Sequence, residues 1–415
     1  MIPVENALEI VLAHAPRLPV ENVDFQDAPG RVLAEDVPSD VDLPPFPRSA
    51  MDGYALRAED VIQAPTRLRV IGTVPAGRNP SFEVKKGQAA QIMTGAPVPL
   101  GANSVHIVEK SRIHGADVEI LELVETGQNI VPRGKEVTTG DIVLRKGTVL
   151  DPAAVAVAAT VGKTSLQVAR RPRVAVIATG DELVPPTQKP GPAQIRNSNG
   201  YSLSAQAANA GALVSYLGIA ADSKESLSHL IRQGLTHDVL LLSGGVSMGR
   251  LDLVEEVLEE LEVKILVDKV ALKPGKPTVF GLGPNDNLVF GLPGNPVSTM
   301  VTFELFVRPA LAKMAGSVNP RRPHLNATLK GPLASKGPRR AYLPGWLETN
   351  SEGALPEAHP ILSRGSGDMV AFSKANALLI LPENIDLMEA GETITVHPLD
   401  SFLFKENRWQ NEITK

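Results

Sequence analysis

Cysteine is absent from all 415 residues, which excludes disulfides, thiolate metal sites, iron–sulfur clusters and cysteine nucleophiles. The chain therefore needs no oxidising compartment. Nothing at its start resembles a secretory signal, and the expectation is a cytoplasmic protein. Long apolar runs are missing too: no segment approaches the roughly 18 uncharged residues of a membrane span. The eight histidines show no metal-ligand spacing, and His106 and His237 read as structural. There is no G-x-x-x-x-G-K-[ST], so a P-loop NTPase is not expected. Nor is there an excess of positive charge. With 41 Lys and Arg against 46 Asp and Glu, the net charge of −5 argues against a general nucleic-acid binder. It leaves room for an anionic small molecule held by a few well-placed Lys or Arg.

What is present is globular: 43% hydrophobic residues, 21% charged, and a length that implies roughly two to four domains. Thirty-five glycines and thirty-five prolines, with only 4% aromatics, point to many turns and short elements. Val4, Ala7, Leu8, Val11 and Leu12 recur at helical spacing, and Asp151–Pro152 opens a second apolar helix as N-cap and first position. These two helices are expected to pack together as an N-terminal helical and linker subdomain, residues 1–40 and 138–171. Between them, residues 41–137 break into short apolar runs (Leu68–Val74, Ala89–Met93, Val105–Val108, Val118–Leu123) and read as an inserted β subdomain.

Residues 172–316 alternate strand and helix. Val174–Ala178, Leu213–Leu217 and Val239–Leu242 are strands covered on both faces, with helices over 198–210, 223–235 and 253–261. This is a doubly wound α/β domain, and a last helix after Asn295–Pro296 should be disturbed near Pro309. Residues 317–405 return to strands and turns and read as a C-terminal β-barrel-like domain. The fold class is α/β plus β, multidomain.

Ligands of open α/β sheets bind beyond the carboxyl ends of the strands. Here those ends run into Thr179–Gly180–Asp181–Glu182, Ser243–Gly244–Gly245–Val246–Ser247 and Pro293–Gly294–Asn295–Pro296. Ser243–Gly244–Gly245 ahead of a helix is either a phosphate cradle or simply a tight connection. Carboxylates in these loops, Asp181, Glu182, Asp222 and Asp252, suit Mg²⁺ beside a phosphate. Asp222 and Asp252 have a second reading, because each precedes a glutamate by three residues (Glu225, Glu255) in a capping-box arrangement. Lys273–Pro274–Gly275–Lys276–Pro277 follows an alternating strand over 263–271 and is either a solvated turn or a pair of phosphate-neutralising lysines. Asp52–Gly53 reads locally as a turn.

Pro44-Pro45-Phe46-Pro47-Arg48-Ser49-Ala50-Met51-Asp52-Gly53-Tyr54-Ala55, Met93-Thr94-Gly95-Ala96-Pro97, Thr179-Gly180-Asp181-Glu182-Leu183, Ser243-Gly244-Gly245-Val246-Ser247, Lys273-Pro274-Gly275-Lys276-Pro277 and Gly291-Leu292-Pro293-Gly294-Asn295-Pro296-Val297-Ser298 follow one another in this order. Together they resemble the molybdopterin molybdenumtransferase family (MoeA, and the E domain of gephyrin), over nearly the whole chain. The resemblance implies an elongated homodimer, with a transient contact to the molybdopterin adenylyltransferase and neither nucleic acid nor membrane as partner. It implies insertion of molybdate into adenylylated molybdopterin, with Mg²⁺-dependent release of AMP, in molybdenum-cofactor biosynthesis. By matching motif it implies Asp52, Thr94, Glu182, Asp222 and Asp252 as catalytic residues. Ser243, Gly244, Gly245, Ser247, Lys273, Lys276, Pro293 and Asn295 become pterin-binding residues, and Glu182, Asp252 and Glu136 metal-binding residues.

Two segments depart from the family pattern. Gly134–Lys135–Glu136 stands where the family usually reads Gly-Glu-Asp, and Arg250 replaces the usual acidic residue after Ser-Gly-Gly-Val-Ser-x-Gly. Lys135 and Arg250 reverse local charge, and Glu136 reaches one methylene further than aspartate. The alternatives these raise are a preference for tungstate or a catalytically weakened paralogue acting as a pterin-binding scaffold.

Overall fold

A computed structural model describes residues 1–245, 253–349 and 354–400, which divide between two compact units. One comprises Met1–Val23, Gly30–Ala34 and the chain from Gln167 onward; the other comprises Asp24–Pro29 and Glu35–Leu166. Helix α1 (Val4–His14) belongs to the first. Its apolar stripe of Val4, Ala7 and Val11 shares a core with Phe303, Phe306 and Leu311.

The second unit is built on six strands: β1 (Gly53–Leu56), β2 (Thr66–Val74), β3 (Gln88–Ile92), β4 (Ser104–Ile107), β5 (Ser111–His114) and β6 (Asp117–Ile120). They form one sheet in the order β4–β1–β3–β2–β6–β5, parallel only between β2 and β3. Alternation along the strands supplies two cores, Tyr54, Leu56 and Ala89 in one and Ala55, Ala90 and Ile92 in the other. Gly53 begins β1 rather than completing a turn, because β4 runs so close that any Cβ there would strike the His106 carbonyl. His106 is buried with Nε2 2.8 Å from the Lys110 carbonyl, as befits a structural histidine.

Helix α2 (Pro152–Thr160) also lies in the second unit, with Asp151 accepting the Ala154 amide at 2.8 Å. The bulky stripe of α1 is committed to the phenylalanine core of the first unit, whereas α2 buries only Ala154 and Ala158 in its own.

In the first unit, strands β7 (Arg173–Thr179), β8 (Leu213–Ala220), β9 (Val239–Ser243), β10 (Lys264–Val267), β12 (Val279–Leu282) and β13 (Leu288–Leu292), with the short β11 (Leu272–Lys273) between β10 and β12, cover the α/β segment. The six longer strands are ordered β8–β7–β9–β13–β12–β10. The first four are parallel neighbours, and β12 runs antiparallel to β13. Helices α3 (Asn199–Asn209), α4 (Lys224–Gly234), α5 (Leu253–Glu260), α6 (Pro296–Thr302) and α7 (Arg308–Met314) cover both faces. Val174, Val176 and Leu241 enter the core shared with α1 and α3, while Ala175, Ile177 and Leu242 enter the one shared with α4 and α5. Burial on both sides is why Val174–Ala178 and Val239–Leu242 are uninterrupted apolar runs, whereas Leu213–Leu217, expected to be covered likewise, lies on the edge strand β8 with Leu213 exposed and the rest half-buried. Gly211, at φ +86°, closes α3 as its position in the sequence predicts.

The disturbance expected near Pro309 takes the form of a π-helical turn, Phe303–Val307, joining α6 to α7. The strand expected over 263–271 is shorter, because the chain beyond Val267 is captured by the N-terminus. Ile2 donates to Lys269 O at 3.0 Å and accepts from the Ala271 amide at 2.7 Å.

The last segment contains β14 (Leu325–Leu329), β15 (Arg340–Glu348), β16 (Glu357–Pro360), β17 (Ala377–Leu381) and β18 (Thr393–Pro398). Pairing runs β15–β16–β14–β18–β17 and back to β15, a closed small barrel around Leu329, Leu379 and Val396. Strand β11 adds to it in parallel, Leu272 opposite Arg340 and Lys273 opposite Ala341.

Candidate functional site

The parallel register sets Ala178 beside Ser243 and Ser243 beside Leu292, so the loops leaving β7, β9 and β13 emerge together. They line a cavity of about 1060 Å³ with the turn after β11 and residues of the barrel. That is at the upper end of the range for small-molecule sites. Gly244 makes the close approach feasible. It sits at φ +100°, and a Cβ there would fall 2.6 Å from Thr179 O and 2.9 Å from Thr179 Oγ1.

One wall is acidic. Asp181, Glu182 and Asp222 line it, and all three are exposed to the cavity and solvent. Asp181 Oδ1 accepts the Asp222 amide at 3.0 Å, which joins the β7 and β8 loops. The capping box expected at Asp222 does not form: Ser223 is the cap of α4, its hydroxyl accepting the Ser226 amide at 3.3 Å. A hydroxyl one residue later takes the capping place, and the Asp222 carboxylate is left for the cavity. Glu182 folds back over Gly180, where any side chain would collide with its carboxylate.

The same cavity is also lined by basic side chains, Lys273, Lys276, Arg196 and Arg339. Lys273 Nζ donates to the Lys336 carbonyl at 2.9 Å, and Arg339 returns a bond to the Leu272 carbonyl at 2.8 Å. Arg196 is anchored on the carbonyls of Pro186 and Gln188, both at 3.1 Å. The Lys276 ammonium has no partner among the described residues, although its carbonyl accepts the Val270 and Thr278 amides. Pro293 is buried beside Ser243, and Asn295 Nδ2 donates to Ser366 Oγ at 2.9 Å.

Among the described residues, none of these three carboxylates and four cations forms an ion pair with another or with any other residue. Charged groups gathered in one cavity and left unpaired are groups available to a ligand.

Ser247, Arg250 and Asp252 lie outside the described residues. Asp52, Thr94 and Glu136 belong to the second unit. Asp52 Oδ1 accepts from the Thr94 amide at 2.6 Å and hydroxyl at 2.9 Å, and these bonds, the amide first, hold its carboxyl below the usual range. Asp42 and Thr139 make the same clasp at 2.8 and 2.9 Å. Glu136 pairs with Arg48 at 3.1 Å, both side chains exposed.

Sequence reading missed Asn199, Arg196, Arg339, Tyr342 and Ser366, which also line the cavity. Arg339 and Tyr342 become visible only through the pairing of β11 with β15, which no local pattern announces.

The acidic wall offers hard oxygen donors and no sulfur or imidazole, the donor set of Mg²⁺. No group of three acidic or histidine side chains forms a cage among the described residues.

Comparison with known proteins is consistent along the chain. Residues 2–162 match the MoeA N-terminal region (domain I and II), 175–313 a probable molybdopterin binding domain, and 326–399 the MoeA C-terminal region (domain IV). A molybdopterin molybdenumtransferase of Nostoc sp. is 35% identical over 409 residues, covering 95% of this chain and 93% of its own. The chain belongs to the molybdopterin molybdenumtransferase family. A Bacillus subtilis member of that family is likewise 35% identical over 404 residues, covering 95% of this chain and 93% of its own. The crystal structure of the molybdopterin biosynthesis MoeA protein from Pyrococcus horikoshii superposes with a TM-score of 0.82 at 32% identity, covering 96% of this chain and all of that one. As a molybdopterin molybdenumtransferase family member the chain is an enzyme, a transferase. No helix among its described residues is long and apolar enough to cross a membrane.

Proposed function

We propose that the chain inserts molybdate into adenylylated molybdopterin with Mg²⁺-dependent release of AMP, and that the cavity beyond β7, β9 and β13 is where it does so. The observation that carries this reading is one cavity lined by both acidic and basic side chains that form no ion pairs within the described protein. Splitting a phosphoanhydride requires charge neutralisation on the phosphoryl oxygens and a positioned attacking oxygen. Lys276 and Arg339 supply positive charge, and the loops around Ser243, Gly244 and Pro293 fix the phosphate. Molybdate, itself an oxyanion, brings the attacking oxygen, so no nucleophilic side chain is called for. Tyr342 and Leu343 give the same cavity apolar surface for a planar ring.

Of the residues expected to hold Mg²⁺, Glu182 lines the cavity, with Asp181 and Asp222 alongside. When bound there, the ion would supply Lewis-acid neutralisation of phosphate charge. Asp52 and Thr94 remain proposed contributors from the second unit. Glu136 bears on the second reading, a weakened, pterin-binding paralogue, because its carboxylate is engaged by Arg48. We further propose a cytoplasmic homodimer with a transient contact to the adenylyltransferase. Self-association is supported by α2, which is apolar around its whole circumference yet buries only two residues. Sedimentation analysis tests it.

The deciding experiment supplies purified protein with adenylylated molybdopterin, Mg²⁺ and molybdate or tungstate. AMP release and active cofactor are expected, and Glu182→Gln should lower turnover by about 100-fold or more without shifting thermal unfolding. Tight pterin binding without AMP release would favour the scaffold reading.

A further inference from the structure

Asn199, the first residue of α3, is nine-tenths buried at the back of the cavity. Its Nδ2 lies 2.7 Å from Gly294 O, 2.8 Å from Ser243 Oγ and 3.4 Å from Thr299 Oγ1. A backbone carbonyl can only accept, so the amide nitrogen, and not Oδ1, must face Gly294. Of its two hydrogens, one goes to Gly294 O and the other is best placed for Ser243 Oγ.

That settles the Ser243 hydroxyl. Because its oxygen accepts from Asn199, its own proton must be given elsewhere. No described residue takes it, and Ser243 lines the cavity while only 2% exposed. The same amide therefore ties the β9 loop to the β13 loop and leaves Ser243 as a donor directed at whatever anion the loops hold. Such a donor, buried and pre-aimed, needs no reorganisation when phosphate arrives. Asn199 also keeps its Oδ1 buried with no partner among the described residues, a local conflict of the kind that concentrates at functional sites.

We infer that Asn199 is a positioning residue, acting through Ser243 to present a hydroxyl donor to a phosphoryl oxygen of the substrate. The inference rests on the cavity being the phosphate site proposed above.

The test measures the Kd of adenylylated molybdopterin with molybdate omitted, and then KM and kcat with it present. Asn199→Ala should raise Kd and KM by about tenfold and change kcat much less. Ser243→Ala should do the same, and Ser243→Thr, which keeps the hydroxyl, should bind like wild type. The Asn199→Ala/Ser243→Ala double variant should be no worse than either single change. Wild-type affinity in Asn199→Ala or Ser243→Ala, or a double variant losing the product of the two single effects, overturns the inference. If Asn199→Ala does not fold, the Ser243→Ala and Ser243→Thr pair still decides it. Absence of AMP release by the wild type would count against the proposed reaction alone, because the binding pattern is read without turnover.

Discussion

The ammonium of Lys273 is spent on the carbonyl of Lys336, 2.9 Å away, whereas that of Lys276, on the far side of the same turn, has no partner among the described residues. Two lysines that look equivalent in sequence therefore do different work. Lys276→Ala should weaken adenylylated molybdopterin binding by about tenfold and flatten its salt dependence, leaving thermal unfolding unchanged. Lys273→Ala should instead loosen the barrel from β11, costing about 1 kcal/mol of stability. Titration calorimetry at two salt concentrations, with thermal melts, separates them. Equal effects of both on stability would show that the division is wrong.

Gly244 occupies a left-handed conformation with Thr179 against the place a side chain would take. Gly244→Ala should cost about 1–3 kcal/mol and displace the β9 loop, abolishing ligand binding before it abolishes folding. A folded Gly244→Ala protein with wild-type affinity would mean that the loop is not the phosphate cradle.

Asp238 accepts both guanidinium nitrogens of Arg170, at 2.6 and 2.7 Å, and the Arg173 amide at 2.7 Å. Burial alone would raise its pKa, but these bonds and charges outweigh burial and hold it below the ordinary 3.8. A lowered carboxyl contributes stability that is present above 3.8 and lost as pH falls through the folded value. Asp238→Asn should cost about 2 kcal/mol near neutrality and reduce the acid sensitivity below pH 4, as read by urea unfolding.

His397 is buried, with Nδ1 3.2 Å from His324 Nε2. Burial first, then the charges of His324, Arg322 and Arg308, push it down to about 3 from 6.5, with Asp400 opposing. Because the unfolded chain takes up the proton first, this stability is complete above 6.5 and drains away as pH falls from 6.5 toward 3. The loss at pH 5 is about 2 kcal/mol. His397→Phe should remove that part of the pH dependence between 6.5 and 4.5. An unchanged slope in urea titrations would refute it.

Much of this architecture is legible from residue order. The strand cores around Val174 and Val239, the Asp151–Pro152 start and the Gly211 stop are local signals, and they appear where expected. The site was half legible. Glycines and carboxylates at strand ends point to it because backbone approach and charge are encoded locally. Arg339 and Tyr342 reach it only through β11 joining a barrel that begins over fifty residues later, and Ser366 through its bonds to Asn295 and Val297. Amphipathic spacing says which face of α1 is buried, but not that Phe303, Phe306 and Leu311 cover it. Spacing alone leaves Asp222 two readings, cap or site residue, because it does not rank Asp222 against the neighbouring Ser223.

The π turn at Phe303–Val307 carries one further consequence. Pro309 has no amide hydrogen to give Leu305, and a wider turn is a place to absorb that missing bond. The turn also resets angular phase: each residue of an α-helix advances it by about 100°. Val297 and Val301 before the turn, and Ala310, Leu311 and Met314 after it, are all buried. Shortening the turn by one residue to regularise the helix would swing the later group away from α1, so chain length here is as constrained as side-chain identity.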